Sequence, residues 1–421
     1  MFRSLRLFNY RIWFIGALIS NVGTWMQRTA QDWLVYDILT QQDAAAMGIV
    51  MALQMGPQLV MAPWAGLIAD RFDRQKLLMA TQISMAVLGL ALGLMVIADV
   101  AQLWHVYAFA LALGMVTAVD APARQTFVSD LVRDDYLPNA VALNSTSFNL
   151  ARMIGPAIAG VLTVAIGPGP VFLINAATFA AMIAALLAIR RQELHPREKV
   201  AKGRGQILEG FRYVKDRPDL VVVLTAIFII GTFGLNFSVF VASMARTEFG
   251  GHAGDFGLLS SVMAAGSVTG ALLSARRDRP RLRYVFGASV AFGIACTAAG
   301  LAPTVWLFGL ALVPVGAAAI TIMTSANAYV QTTTEPMMRG RVMSLYMAIL
   351  MGGTPIGAPL VGLVSNSFGP RWGLGVAALS GVAAAAVGTL WAWRAHHMRL
   401  RFDRSARRKL SITYGVPDRP V

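Results

Sequence analysis

Twelve apolar blocks run through the 421-residue chain, near 12–39, 47–69, 77–98, 104–128, 139–165, 170–189, 220–245, 255–275, 284–301, 304–330, 341–364 and 372–393. Each approaches or exceeds the roughly twenty residues that a helix needs to cross a bilayer. Lipid offers the backbone no hydrogen-bond partners, so only helices or closed barrels can span it, and blocks of this length predict helices. A soluble domain would carry about a quarter of its residues as charges. This chain carries 14%, with 56% hydrophobic residues and a mean hydropathy of +0.60. The expected fold class is an all-α membrane protein with twelve transmembrane helices.

A net charge of +15 would suit a nucleic-acid partner, but the basic residues are placed for a membrane. All of the 36 Lys and Arg except Arg28, Arg152, Arg246 and Arg371 lie at 1–11, 70–76, 124–133, 190–217, 276–283, 339–341 or from 394 onward. With the N-terminus inside, every one of those segments faces the cytosol, as the positive-inside rule requires. Both termini are therefore expected to be cytosolic, the lipid bilayer is the partner, and nucleic acid is not. The first apolar run is too long for a signal peptide and reads as an uncleaved span. A single cysteine, Cys296, excludes an intramolecular disulfide.

The longest hydrophilic stretch, 190–220, divides the spans six and six. The expected organisation is a bundle over 1–189, a cytosolic linker over 190–219, a second bundle over 220–393 and a basic cytosolic tail over 394–421. In the linker Ile207, Leu208, Phe211 and Val214 share one helical face. That pattern fits either a short helix on the inner membrane surface or a solvated tie between the halves. The halves also echo each other: "GLIADRFDR" follows the second span and "GALLSARRDR" the eighth. Half-length similarity of this kind marks transporters built from two related bundles.

The first span carries a polar stripe. At about 100° per residue, Asn21, Thr24, Arg28, Gln31 and Asp32 fall within a third of the circumference. A charge at bilayer depth is costly unless it meets water or a partner, so the stripe must face the bundle interior or an aqueous cavity. Arg28 and Asp32 are spaced to pair along the helix. Two roles fit: mutual neutralisation, or protonation of Asp32 that frees Arg28 to bind a substrate. Arg152 shares a face of the fifth span with Ser145, Asn149 and Pro156, and fits either a second cavity cation or a partner for Asp32 or Asp120. Asn236 and Asn327, with Asn175 and Thr324, are lone polar groups on apolar helices, for which helix-to-helix hydrogen bonds are the commoner explanation.

No Gly-rich phosphate loop, metal-ligand spacing or paired nucleophile and base is present. No metal, no cofactor and no enzymatic activity are expected.

The run from Gly66 through Asp70, Arg71, Asp73 and Arg74 to Lys76 resembles the signature loop of the major facilitator superfamily, with Asp73 where that pattern has glycine. "DAPARQTFVSDLV" (120–132), "LPNAVALNSTSFNLARMIGPAIAG" (137–160) and "RGRVMSLYMAILMG" (339–352) are similar to the transmembrane secretion effector branch, which includes the bacterial enterobactin exporter. The resemblance implies two pseudo-symmetric six-helix bundles in a bacterial inner membrane, acting as a monomer. It implies proton-driven export of a small amphipathic molecule, such as a siderophore or drug, by alternating access. An uptake symporter on the same fold, or a non-transporting sensor or assembly factor, are the other readings.

The resemblance also assigns roles. Asp70 would face the N-terminus of the eleventh helix, and Arg74 would pair with Asp120 or Asp130, forming a latch that breaks as the cytosolic side opens. Glu335, Arg339 and Arg341 form the equivalent gate of the second half, while Arg71 also suits plain membrane anchoring. Gly155, Pro156 and Gly160 approximate the antiporter motif, with Ala151 and Ala159 replacing two of its glycines. The first helix would line the cavity, making Asp32 the first and Asp120 the second candidate for proton coupling.

Overall fold

The computed structural model describes residues 3–61, 64–65, 68, 71–195, 206–275, 281–396, 398–402 and 410–414. Within them lie α1 (Phe8–Trp33), α2 (Ala44–Val60), α3 (Arg74–Ile97), α4 (Leu103–Asp130), α5 (Leu137–Ile166) and α6 (Pro168–Ala188). After the linker helix α7 (Gln206–Lys215) come α8 (Pro218–Ile229), α9 (Phe237–Ser243), α10 (Ala253–Ala275), α11 (Leu282–Gly300), α12 (Val305–Thr333), α13 (Pro336–Phe368) and α14 (Pro370–His396).

Ten helical segments among the described residues are long and apolar enough to cross a membrane, the seventh span running Pro218–Glu248 across α8 and α9. The 26-residue α1, with its polar stripe, and the shorter 17-residue α2 complete the twelve.

Three departures from the sequence expectation have physical causes. The seventh span is not one helix: a π-helical turn, Ile230–Gly234, ends α8, and the chain breaks before Asn236. An uninterrupted apolar block conceals such a break, and irregular backbone at membrane depth is tolerated where protein surrounds it. Asp73 needs no glycine-like backbone, because its φ is −62° and its carboxylate caps α3 by accepting from the Lys76 N–H at 2.9 Å. In the tail, Met398–Phe402 pairs antiparallel with Leu410–Tyr414, a ribbon that the basic composition did not announce.

Packing follows a repeated plan. In the first half α1 lies against α5 and α6, α3 against α4 and α6, and α2 against α4; in the second, α12 lies against α10 and α11, and α14 against α8 and α11. The halves meet where α2 runs along α13 and α5 along α10. Small residues permit both contacts. A Cβ on Gly48 of α2 would come within 2.8 Å of the Pro359 Cα, and one on Gly160 of α5 within 2.9 Å of the Ala253 carbonyl oxygen.

The linker helix α7 docks on α13, with Gly210 against Arg341 and Val214 buried while Phe211 stays exposed. The linker thus forms a helix docked on α13 rather than a freely solvated tie.

Candidate functional site

The stripe of α1 lies at the meeting of the halves. Gln31 and Asp32 are buried, at 1% and 6% exposure, and Asn21, Thr24 and Arg28 are half-buried. The expected Arg28–Asp32 ion pair is not made within 4.0 Å. The Asp32 carboxylate is instead buried where α1 packs against α9, close to Ser238 just past the break in the seventh span. Asp32 thus lies at the contact of the first span with the seventh, between the two halves.

Arg28 turns to Trp25, its guanidinium carbon 5.2 Å from the ring centroid. From α5, Arg152 reaches the same indole at 5.7 Å. This approach depends on Gly155, where a Cβ would stand 2.6 Å from the Trp25 Cβ. The Arg28 Nε, the Gln31 amide nitrogen, the Thr232 hydroxyl and the Asn236 amide oxygen are buried without a hydrogen-bond partner. Asn236 is wholly buried and donates to the Thr232 carbonyl at 2.7 Å. Unpaired polar groups at this depth demand a partner, and a polar ligand or water would supply it.

The remaining candidates divide. Thr24 donates to the Ser20 carbonyl at 2.8 Å, and exposed Asn149 donates to the Ser145 carbonyl at 2.8 Å. Asn327 accepts from Gln331 on its own helix at 2.6 Å. Asn175 bonds Gln27 of α1 at 2.5 Å, the helix-to-helix bond expected of it. Asp120 sits in a filled network, accepting from Thr81 at 2.6 Å, Gln82 at 2.9 Å and Arg124 at 3.0 Å. Arg74 selects Asp130, with both carboxylate oxygens within 2.8 Å. That pair joins the ends of α3 and α4 inside one half, so separation of the halves need not break it.

Gly66 and Asp70 lie outside the described residues. Arg71, Glu335 and Arg339 are exposed, and Arg341 pairs with Glu209 of α7 at 2.5 Å rather than with the first half. Gly155, Pro156 and Gly160 are buried in close contacts of α5 with α1 and α10, and Ala151 and Ala159, at the substituted glycine positions, are wholly buried.

At the opposite end, contacts between the halves were not anticipated. Arg246 Nε lies 2.5 Å from Asp37, and the Tyr36 hydroxyl lies 2.6 Å from that of Thr247. Asn366 donates to Asp43 at 2.6 Å and accepts from the Ala44 N–H at 2.8 Å. The signal available in sequence was Arg246 itself, a lone cation outside the basic segments.

Twelve spans in two pseudo-symmetric halves, joined by a linker helix and meeting around buried polar groups, define a major facilitator fold. Comparisons agree. A family model described as transmembrane secretion effector matches residues 2–406, and the chain belongs to that family of multi-pass membrane transporters. It is 25% identical over 373 residues to the staphyloferrin A transporter of Staphylococcus aureus, covering 85% of this chain and 90% of that one. It is 26% identical over 323 residues to the enterobactin exporter of Escherichia coli O1:K1, covering 75% and 76%. Among solved structures, a bacterial homologue of the human lysosomal transporter Spinster, in an inward-facing and occupied conformation, superposes with a TM-score of 0.72 at 16% identity, over 92% of this chain and 96% of that one.

Proposed function

We propose that this chain is a proton-driven exporter of a small amphipathic molecule, working as a monomer in a bacterial inner membrane with both termini cytosolic. Residues 1–189 and 220–393 are its two moving bundles, joined by 190–219 and followed by the tail at 394–421. The chain acts by transport and performs no covalent chemistry.

The observation that carries this reading is the burial of the Asp32 carboxylate where α1 meets α9, between the two halves. An ionisable group at that depth is a functional hypothesis by default. Protonation removes the buried negative charge from that contact and lets the halves re-seat. Proton loading thereby favours one arrangement and substrate the other, as alternating access requires.

The conformation is read as inward-facing. The contacts of Asp37, Asp43, Arg246 and Asn366 close the outer end, while Ser145, Phe148 and Asn149 of α5 are exposed toward the inner end. Substrate enters from the cytosol, and the outer contacts then part. The export direction draws support from the antiporter-like packing of α5 and from the exporter among the relatives.

The test uses everted membrane vesicles energised by respiration. Accumulation of enterobactin, abolished by an uncoupler and absent without the protein, supports export. Uptake that appears only in right-side-out vesicles overturns its direction.

A further inference from the structure

Arg28 and Arg152 come from different helices, yet both guanidiniums lie within 6 Å of the Trp25 ring, at 5.2 and 5.7 Å. Among the described residues no carboxylate stands within 4.0 Å of either one. The other two cations outside the basic segments are matched, Arg246 by Asp37 and Arg371 by Glu248, as are Arg74 by Asp130 and Arg124 by Asp120. A cation–π contact recovers only part of what a guanidinium loses on leaving water. Neither Arg28 nor Arg152 is thus held in an ion pair, and the Arg28 Nε is buried without an acceptor.

The face of α5 that carries Arg152 is open. At about 100° per residue, Ser145, Phe148, Asn149 and Arg152 share one side of the helix, opposite Leu150, Ile154 and Val161. Both sides of α5 are exposed over this stretch, with Phe148 at 47% and Leu150 at 37%. The apolar side suits lipid. The polar side lies beside Trp25 of α1, and Phe148 packs edge-on against that ring, with centroids 5.8 Å apart.

We propose that Arg28, Trp25 and Arg152 form a binding site for an anionic planar substrate, one that bears carboxylates or equivalent oxyanions. The guanidiniums bind the oxyanions, bidentately where the group is a carboxylate. The indole and Phe148 cover an unsaturated ring. A cationic amphiphile is repelled from the same site by two positive charges. The assignment rests on the reading of this chain as a transporter and narrows its substrate class.

The experiment measures binding of isophthalate, an aromatic dicarboxylate, by calorimetry to the full chain in nanodiscs, with phenyltrimethylammonium as a cation of similar size. Saturable isophthalate binding is expected, unaffected by phenyltrimethylammonium and weakened at least tenfold by Arg28→Gln or Arg152→Gln. Absence of saturable isophthalate binding to the unaltered protein would overturn the assignment. So would equal binding of the cation at the same site, and neither of these outcomes depends on a variant folding. Full-strength isophthalate binding to a doubly substituted protein that melts like the parent would also overturn it. Arginine-dependent binding in a protein that fails the vesicle assay would sink the export reading and leave the anion site standing.

Discussion

Arg246 Nε lies 2.5 Å from Asp37 Oδ1 and joins the end of the seventh span to the end of the first. The pair is only partly buried, at 33% and 19% side-chain exposure, so water still screens it. Pairs of this kind contribute about 1 kcal/mol or less. Asp37→Asn is therefore predicted to shift the closed-to-open ratio of the outer end about fivefold without unfolding the protein. Spin labels on Gln42 and Thr247, now linked side chain to side chain at 2.8 Å, would report the shift as a second, longer distance. Cys296 is buried and is the sole native cysteine, so labels introduced through new thiols stay specific.

The Arg74–Asp130 and Arg341–Glu209 pairs are predicted to differ. Arg74 and Asp130 are 13% and 7% exposed, and breaking a pair so buried costs about 3–5 kcal/mol. Arg341 and Glu209 are 32% and 52% exposed, and their loss costs about 1 kcal/mol or less. Thermal unfolding in detergent should show a large drop for Asp130→Ala and little change for Glu209→Ala. Equal drops would mean that α7 is held to α13 far more tightly than this geometry implies.

Asp120 is predicted to serve structure. Its carboxylate takes three donors and balances Arg124, whose remaining Nη1 already lacks a partner. Asp120→Ala leaves a buried cation uncompensated and should destabilise the protein by about 3–5 kcal/mol. Asp120→Asn keeps an acceptor for Thr81 and Gln82 and should retain coupled transport at reduced stability. Proton flux lost in Asp120→Asn at wild-type melting temperature would make Asp120 a coupling residue.

Gly155→Val should disrupt the contact of α1 with α5. A Cβ there would stand 2.6 Å from the Trp25 Cβ and 3.1 Å from the Met26 backbone nitrogen. Overpacking costs about 1–3 kcal/mol, more where backbone must move. A fall in folded yield measured by fluorescence-detected size exclusion, together with loss of isophthalate binding, is the expected result.

Much of this was legible in the sequence because membrane spans are written as composition. Twelve apolar blocks became twelve spans, and the polar stripe of α1 did turn inward. Partners were less legible. The i,i+4 spacing of Arg28 and Asp32 is a local signal, and it gave way once Arg28 turned to Trp25 and Asp32 was buried at the contact with α9. Asp120 and Asp130 were equivalent candidates for Arg74 until the ends of α3 and α4 were placed side by side. The break before Asn236 was hidden inside an apolar block, since hydropathy does not register backbone geometry. Trp25 lay three residues from Arg28, but its second cation, Arg152, emerged only from the close approach that Gly155 allows.

The central claim is that a proton on Asp32 drives transport, and proton movement into liposomes holding the purified protein tests it most directly. The wild type should show proton flux on addition of a transported substrate, identified in the vesicle assay, and Asp32→Asn should bind that substrate yet show none. Substrate-dependent flux that persists in Asp32→Asn would contradict the claim and leave Asp32 as a structural residue of the contact between the halves.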